Sequence, residues 1–225
     1  MNFLSTAALC SGLLLAPSEP VFKADLLPQK GSRAVAFVPA GWMLERQAAG
    51  DLNADKRPDQ VLLLVERPSG APDAHRERAL VVLLAEPTGQ FRRVGAAGGV
   101  LPCLGCAETS AGADGIPEIS IAKGGLSVRH IAGNDQTMDL TLRFRYEPTA
   151  GRVRLVGEDH IKSSRVKLDT RVRHTDFLTG QQQTDHIYAD PNDKAGTRQL
   201  TSRSTAKVPT TPVYLEDVSA QNLNL

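Results

Sequence analysis

Aromatic side chains are scarce in this chain: only 4% of its 225 residues are Phe, Trp or Tyr. A folded core must therefore be assembled from Leu, Val, Ile and Ala. Net charge is equally lacking, because 26 Lys and Arg face 25 Asp and Glu for a balance of +1. That balance does not point to nucleic acid or an anionic membrane as an obligate partner. No apolar run reaches the ~20 residues of a bilayer-spanning helix, so no stable membrane span is expected. The five histidines form neither H-x-x-x-H nor H-E-x-x-H, and neither a G-x-S-x-G elbow nor a phosphate-cradling glycine loop occurs. The chain is accordingly not expected to be an enzyme. One acid–histidine cluster, Glu158-Asp159-His160, is placed for general acid–base work or for an ordinary solvated loop.

What is present suits a globular protein. Hydrophobic residues make up 41% of the chain and charged residues 23%, which excludes disorder over its whole length. Residues Phe3 to Ala16 are apolar and are followed by Pro17-Ser18-Glu19-Pro20. The run is short for a membrane span and has the length and small-residue flank of a secretory signal. Residues 1–18 are read as a signal peptide, which places the mature chain in the periplasm or outside the cell. The alternative is a lipid anchor through Cys10, although Ala7-Ala8-Leu9 before it does not follow the lipobox pattern. With Cys10 inside the signal, Cys103 and Cys106 remain. In an oxidising compartment such a close pair is expected to form a disulfide. A lone C-x-x-C supplies too few ligands for a zinc site by itself.

Short β-like segments dominate the rest. Gln60–Val65 and Ala79–Ala85 are continuous apolar runs that fit buried strands. Glu118–Lys123 and Leu126–Ile131 alternate around Gly124-Gly125, a pair suited to a tight hairpin. Thr137–Tyr146 places Leu140, Leu142, Phe144 and Tyr146 on one face, and Arg152–Val156 returns beside it. Arg171–Phe177 and Gln182–Tyr188 make a further pair across Leu178-Thr179-Gly180. Arg67–Arg78 reads as an exposed loop. Residues 19–190 are thus expected to form an all-β domain of short antiparallel strands and hairpins, partly propeller-like or alternatively a β-sandwich. Residues 191–225 read as a polar, loosely ordered tail. The cations from Arg143 to Arg173, including Arg145, Lys162, Arg165 and Arg171, are spaced so that several share one exposed sheet face.

The most specific motif is Gly50–Gln60, in which Asp51, Asn53, Asp55 and Asp59 occupy positions one, three, five and nine. Arg57, at position seven, would offer its backbone carbonyl. This is the spacing by which a tight loop wraps hard oxygens around Ca²⁺. The sixth position is Lys56 rather than glycine and the twelfth is Leu62 rather than a bidentate glutamate, so the loop is not an EF-hand. Its other reading is a polar turn that binds no ion.

The stretch GDLNADKRPDQVLLL resembles the GDLNGDGKPDLVV signature of FG-GAP or VCBS-type repeats, which form blades of integrin-like propellers with Ca²⁺ in the loop. It occurs once. A wider resemblance runs through Gly41-Trp42, the Asp loop, the C-x-x-C, the Ile119-Ser120-Ile121 hairpin, Phe144-Arg145-Tyr146 and Leu178-Thr179-Gly180. It is to exported bacterial proteins with one such loop. Some are periplasmic immunity proteins, reminiscent of lysozyme inhibitors, that neutralise peptidoglycan-cleaving toxins. The resemblance implies Ca²⁺ as a bound ion and a protein partner, a cell-wall hydrolase toxin. A structural or adhesion-like envelope role and a hydrolase with unrecognised carboxylates remain alternatives.

Overall fold

The computed structural model describes residues 22–68, 70, 75–106, 117–133, 135–164, 166–194 and 197–219. The expected signal peptide, Cys10 and Arg165 lie outside the described residues.

Among the described residues, twelve strands form two antiparallel sheets, neither closed into a barrel. The first sheet contains β1 (Lys30–Gly31), β2 (Trp42–Gly50), β3 (Asp59–Glu66), β4 (Arg78–Ala85) and β5 (Phe91–Gly98), in the order β1-β5-β4-β3-β2. The second is a seven-stranded meander of β6 (Glu118–Ala122), β7 (Gly125–Gly133), β8 (Gln136–Glu147), β9 (Arg152–Ser164), β10 (Asp169–Asp176), β11 (Gln181–Ala189) and β12 (Gln199–Lys207). The all-β reading holds, and the arrangement matches its sandwich alternative: residues of both sheets share one core.

The apolar runs of β3 and β4 follow from burial on both faces. Val61, Leu63, Leu80, Val82 and Leu84 pack with Leu126, Val128, Leu140, Leu142 and Phe144 of the second sheet. Leu62, Leu64, Ala79, Val81 and Leu83 face the other way, under Leu27, Phe37 and Trp42 of the N-terminal segment. A strand covered on both sides has no polar face to alternate with. Each fully buried side chain contributes about 1.5–3 kcal/mol of transfer free energy. Phe22 meets Trp42 edge-on at 5.1 Å and completes the second layer.

The hairpins lie where the alternation placed them, with one shift. Ala122 pairs with Gly125, so the two turn residues are Lys123 and Gly124, with φ of 52° and 72°. Two left-handed residues in succession give the primed turn whose twist suits a hairpin. Gly125 instead begins β7. The expected loop Arg67–Arg78 is corrected at its end, because Arg78 opens β4 and is fully buried. The described residues of the expected tail, 191–194 and 197–219, are corrected more extensively. β12 pairs with β11 along nine register positions, and Leu215 and Val218 enter the shared core. Composition hid this, because a few apolar residues suffice to fasten a segment that is otherwise polar.

Beyond β9 the second sheet outgrows its partner. Burial falls from β9, which alternates along most of its length with one break at Gly157-Glu158, to β12, where nearly every residue is exposed. The outer surface of this sheet is therefore broad and open.

Candidate functional site

The Asp/Asn loop is the connection of the β2–β3 hairpin, and its side chains bond mainly to its own backbone. Asp51 Oδ1 accepts the amides of Asn53 and Asp55, both at 3.2 Å, and Oδ2 accepts that of Lys56 at 2.8 Å. Asn53 Oδ1 also accepts the Asp55 amide at 3.2 Å, while Asp55 Oδ1 accepts the Arg57 amide at 2.8 Å. Short polar side chains that cap nearby amides favour such a coil over a regular turn. The coil passes through two left-handed residues, Ala54 at φ 62° and Lys56 at φ 65°. Lys56 thus adopts the bend for which glycine is the usual residue. Leu52 anchors the loop by inserting into the shared core.

Asp59 has a different task. It is fully buried, and its two oxygens accept the Leu52 amide at 2.7 Å and the Ala85 amide at 2.8 Å. It latches the loop to the end of β4. Burial pushes its carboxyl above the ordinary range, with repulsion from Asp55 and Asp51 added, and the two amide bonds only partly offset this. Arg57 also differs from expectation by contributing its side chain. Its guanidinium pairs with Asp55 and its Nε donates to the Ala85 carbonyl at 3.1 Å. Desolvation works to raise the Asp55 carboxyl, but the Arg57 amide, the Asn53 side chain and the guanidinium together hold it below its ordinary value.

For a hard, oxygen-seeking cation the fit is therefore divided. Asp51, Asn53 and Asp55 are chemically suited and wrap the same turn of backbone. Asp59 has both oxygens committed to amides. Among the described residues, the one trio of His, Cys, Asp or Glu whose donor atoms all lie within 4.8 Å is His75, Cys103 and Cys106. Cys103 and Cys106 are joined as the expected disulfide, with Cα atoms 5.2 Å apart.

The acid–histidine cluster does not survive as a unit, because neighbours in a strand point to opposite faces. Glu158 and His160 turn inward, opposite Leu142 and Leu140, and are buried. There Arg173 donates to Glu158 at 2.5 Å and lies 3.1 Å from His160 Nδ1. Burial first, then the charges of Arg173 and Lys162, lower the His160 pKa from 6.5 to about 4. Asp159 turns outward, where it pairs with Arg143 and stands 2.7 Å from His174 Nδ1. Burial opposes its ionisation, yet the Arg143 and His174 bonds prevail and keep its carboxyl below the usual range.

The expected basic face is likewise divided. Arg143 lies on the outer face with Asp159, Arg173 on the inner face with Glu158, and Arg152 and Arg154 pair with Glu216 and Glu147. Two adjoining grooves cross the outer face, with volumes of about 330 and 590 Å³, and both are walled by Arg143 and Asp176. Lys123 and Arg145 line one; His174, Gln183 and Lys207 line the other. The spacing of cations in the sequence gave no sign of these grooves, each of which is lined by residues of five neighbouring strands.

No protein-family model, curated protein or solved structure matches this chain. Among the described residues, no helix is long and apolar enough to cross a membrane.

Proposed function

We propose that the chain is an exported binding protein that works by capturing a protein partner, and that the partner is a peptidoglycan-cleaving hydrolase. The observation that carries the binding reading is the pair of adjoining grooves with Arg143 and Asp176 in their common wall. They lie on an antiparallel sheet whose other face packs into the core from β6 to β9, so Arg143 and Arg145 are held in place before the partner arrives. Preorganisation of this kind lowers the entropic cost of association. Choice of partner rests on the resemblance of the Asp loop and its accompanying motifs. A hydrolase that cleaves glycan presents carboxylates in its cleft, and Arg145 and Lys123, beside the Arg143–Asp159 pair, offer cations to meet them.

Ca²⁺ would be held by Asp51, Asn53, Asp55 and the Arg57 carbonyl, with Asp59 as the latch behind them. Its part is to stiffen the β2–β3 connection, not to take part in a reaction.

The test is inhibition of purified peptidoglycan hydrolases, read as the rate of cell-wall clearing, with and without Ca²⁺. Stoichiometric inhibition by the wild-type chain, reduced at least tenfold by Arg143→Glu in a variant that keeps its β-sheet spectrum, is the expected result. Full hydrolase activity at saturating protein would remove this reading. Inhibition that Arg143→Glu leaves unchanged would move the contact off the grooves.

A further inference from the structure

His75 faces the C-x-x-C loop, and the two segments are fixed to each other by more than the disulfide. Arg76 and Leu104 exchange backbone hydrogen bonds in both directions, at 3.0 and 2.8 Å. The buried Arg78 donates to the Pro102 carbonyl at 3.3 Å, and Val100 and Leu101 are sunk in the shared core. The Arg76 guanidinium donates to the Glu66 carbonyl at 2.8 Å, tying the His75 segment to the end of β3. His75 Nδ1 thereby lies 3.1 Å from Cys106 Sγ and 4.0 Å from Cys103 Sγ.

We propose that His75, Cys103 and Cys106 form a redox-gated site for a thiophilic cation such as Zn²⁺, empty when the cysteines are oxidised and filled when they are reduced. With bonds of ~2.3 Å to sulfur and ~2.0 Å to nitrogen, a tetrahedral ion spaces its ligand atoms ~3.5–3.8 Å apart. The two nitrogen–sulfur distances bracket that spacing. Once the disulfide opens, the sulfurs need only side-chain rotation to reach it. One imidazole and two thiolates leave the fourth position to water or an outside ligand, and the chemistry is too soft for Ca²⁺.

The steps balance with a dithiol as reductant. Its thiolate attacks the exposed Cys106 sulfur, the Cys103–Cys106 bond breaks, and a mixed disulfide forms. The second thiol of the reductant then closes its own disulfide. Two electrons and two protons have passed to the protein, leaving Cys103 and Cys106 as thiols. Binding of the cation releases both thiol protons, while neutral His75 supplies its ring lone pair. Cys103 is buried and Cys106 exposed, so the exchange has one accessible sulfur.

The probe is Co²⁺, added anaerobically to the full chain after reduction by a dithiol and removal of the excess. Expected are sulfur-to-cobalt charge-transfer bands with tetrahedral ligand-field bands. They should saturate at one Co²⁺ per chain and be displaced by one equivalent of Zn²⁺. The oxidised chain should give neither. His75→Ala should weaken binding by at least about tenfold, and Cys106→Ser should remove most of the charge-transfer intensity. Both positions are exposed, and an unchanged β-sheet spectrum confirms that each variant is folded. Bands absent from the reduced chain, unaltered by His75→Ala, or present in the oxidised chain would each overturn the proposal. Asp51→Asn must leave the titration unchanged, which separates this site from the Asp loop.

Discussion

Glu45 and Arg78 form a two-pronged ion pair inside the protein: Nε donates to Oε2 at 2.9 Å and Nη2 to Oε1 at 3.0 Å, with the Arg78 side chain fully buried. The pair joins β2 to the start of β4 across β3. Removing one partner of a buried pair leaves an uncompensated charge and costs about 3–5 kcal/mol, whereas replacing both by apolar groups of similar volume is often neutral. Glu45→Ala is therefore expected to lower the stability measured by urea unfolding by that amount. The double variant Glu45→Leu/Arg78→Met should recover most of it.

Asp59 accepts two backbone amides while buried. Asp59→Ala should cost about 2–6 kcal/mol, because each of the two orphaned donors carries a desolvation penalty of about 1–3 kcal/mol. Asp51→Ala, whose amides are closer to solvent, should cost less than half as much. Equal losses in chemical denaturation would show that the latch role is misassigned.

Lys56 at φ 65° and the Arg57–Asp55 pair make separable predictions about the loop. A left-handed residue other than glycine costs about 1–2 kcal/mol, so Lys56→Gly should raise stability by about 1 kcal/mol. Arg57→Ala frees an Asp55 oxygen from a competing cation and should tighten Ca²⁺ binding in calorimetry, while Asp51→Asn should abolish it. A chain that takes up no heat at millimolar Ca²⁺ would remove calcium from the account.

His160 sets a pH dependence. Its pKa falls from 6.5 to about 4 on folding, so between those values the unfolded chain binds more protons than the folded one. Stability from this group is complete above pH 6.5 and is lost as the pH falls toward 4. The loss amounts to at most about 3 kcal/mol, since one pKa unit corresponds to about 1.36 kcal/mol. His160→Gln should flatten the unfolding free energy across this window. Asp159 and Asp176, whose carboxyls are lowered from 3.8, act below it and should leave that comparison clean.

Gly50 allows the two sheets to touch at their edges. A Cβ there would lie 2.7 Å from the Ile121 Cβ and 3.0 Å from the Ile121 carbonyl oxygen. Gly50→Ala should destabilise by about 1–3 kcal/mol, the usual cost of overpacking, and thermal unfolding of the variant measures it.

The strands were largely legible because the signals that make them are local. Alternation in Leu140, Leu142 and Phe144 and unbroken apolar runs in β3 and β4 follow from how many faces a strand buries. The backbone coil of the Asp loop was legible for the same reason, since Asp51, Asn53 and Asp55 bond amides within five residues of themselves. Three things were not. Arg78 reads as loop because charge argues for solvent, and only partners distant in sequence, Glu45 and the Pro102 carbonyl, make its burial tolerable. Leu215 and Val218 sit in a polar segment, and nothing local marks them as core. Glu158 and Asp159 are adjacent in the chain, yet the pleat sends them to opposite faces.

The sequence by itself determined the class of structure, the hairpins and the oxygen-rich loop, because strand periodicity, turn chemistry and side-chain-to-amide bonding act over a few residues. Only the tertiary structure decided which groups meet. It brought His75 to Cys106, committed Asp59 to Leu52 and Ala85, paired Arg143 with Asp159, and set Arg143 with Asp176 in the wall of two grooves. Those encounters depend on the register of strands far apart in the chain, fixed by burial of the whole core.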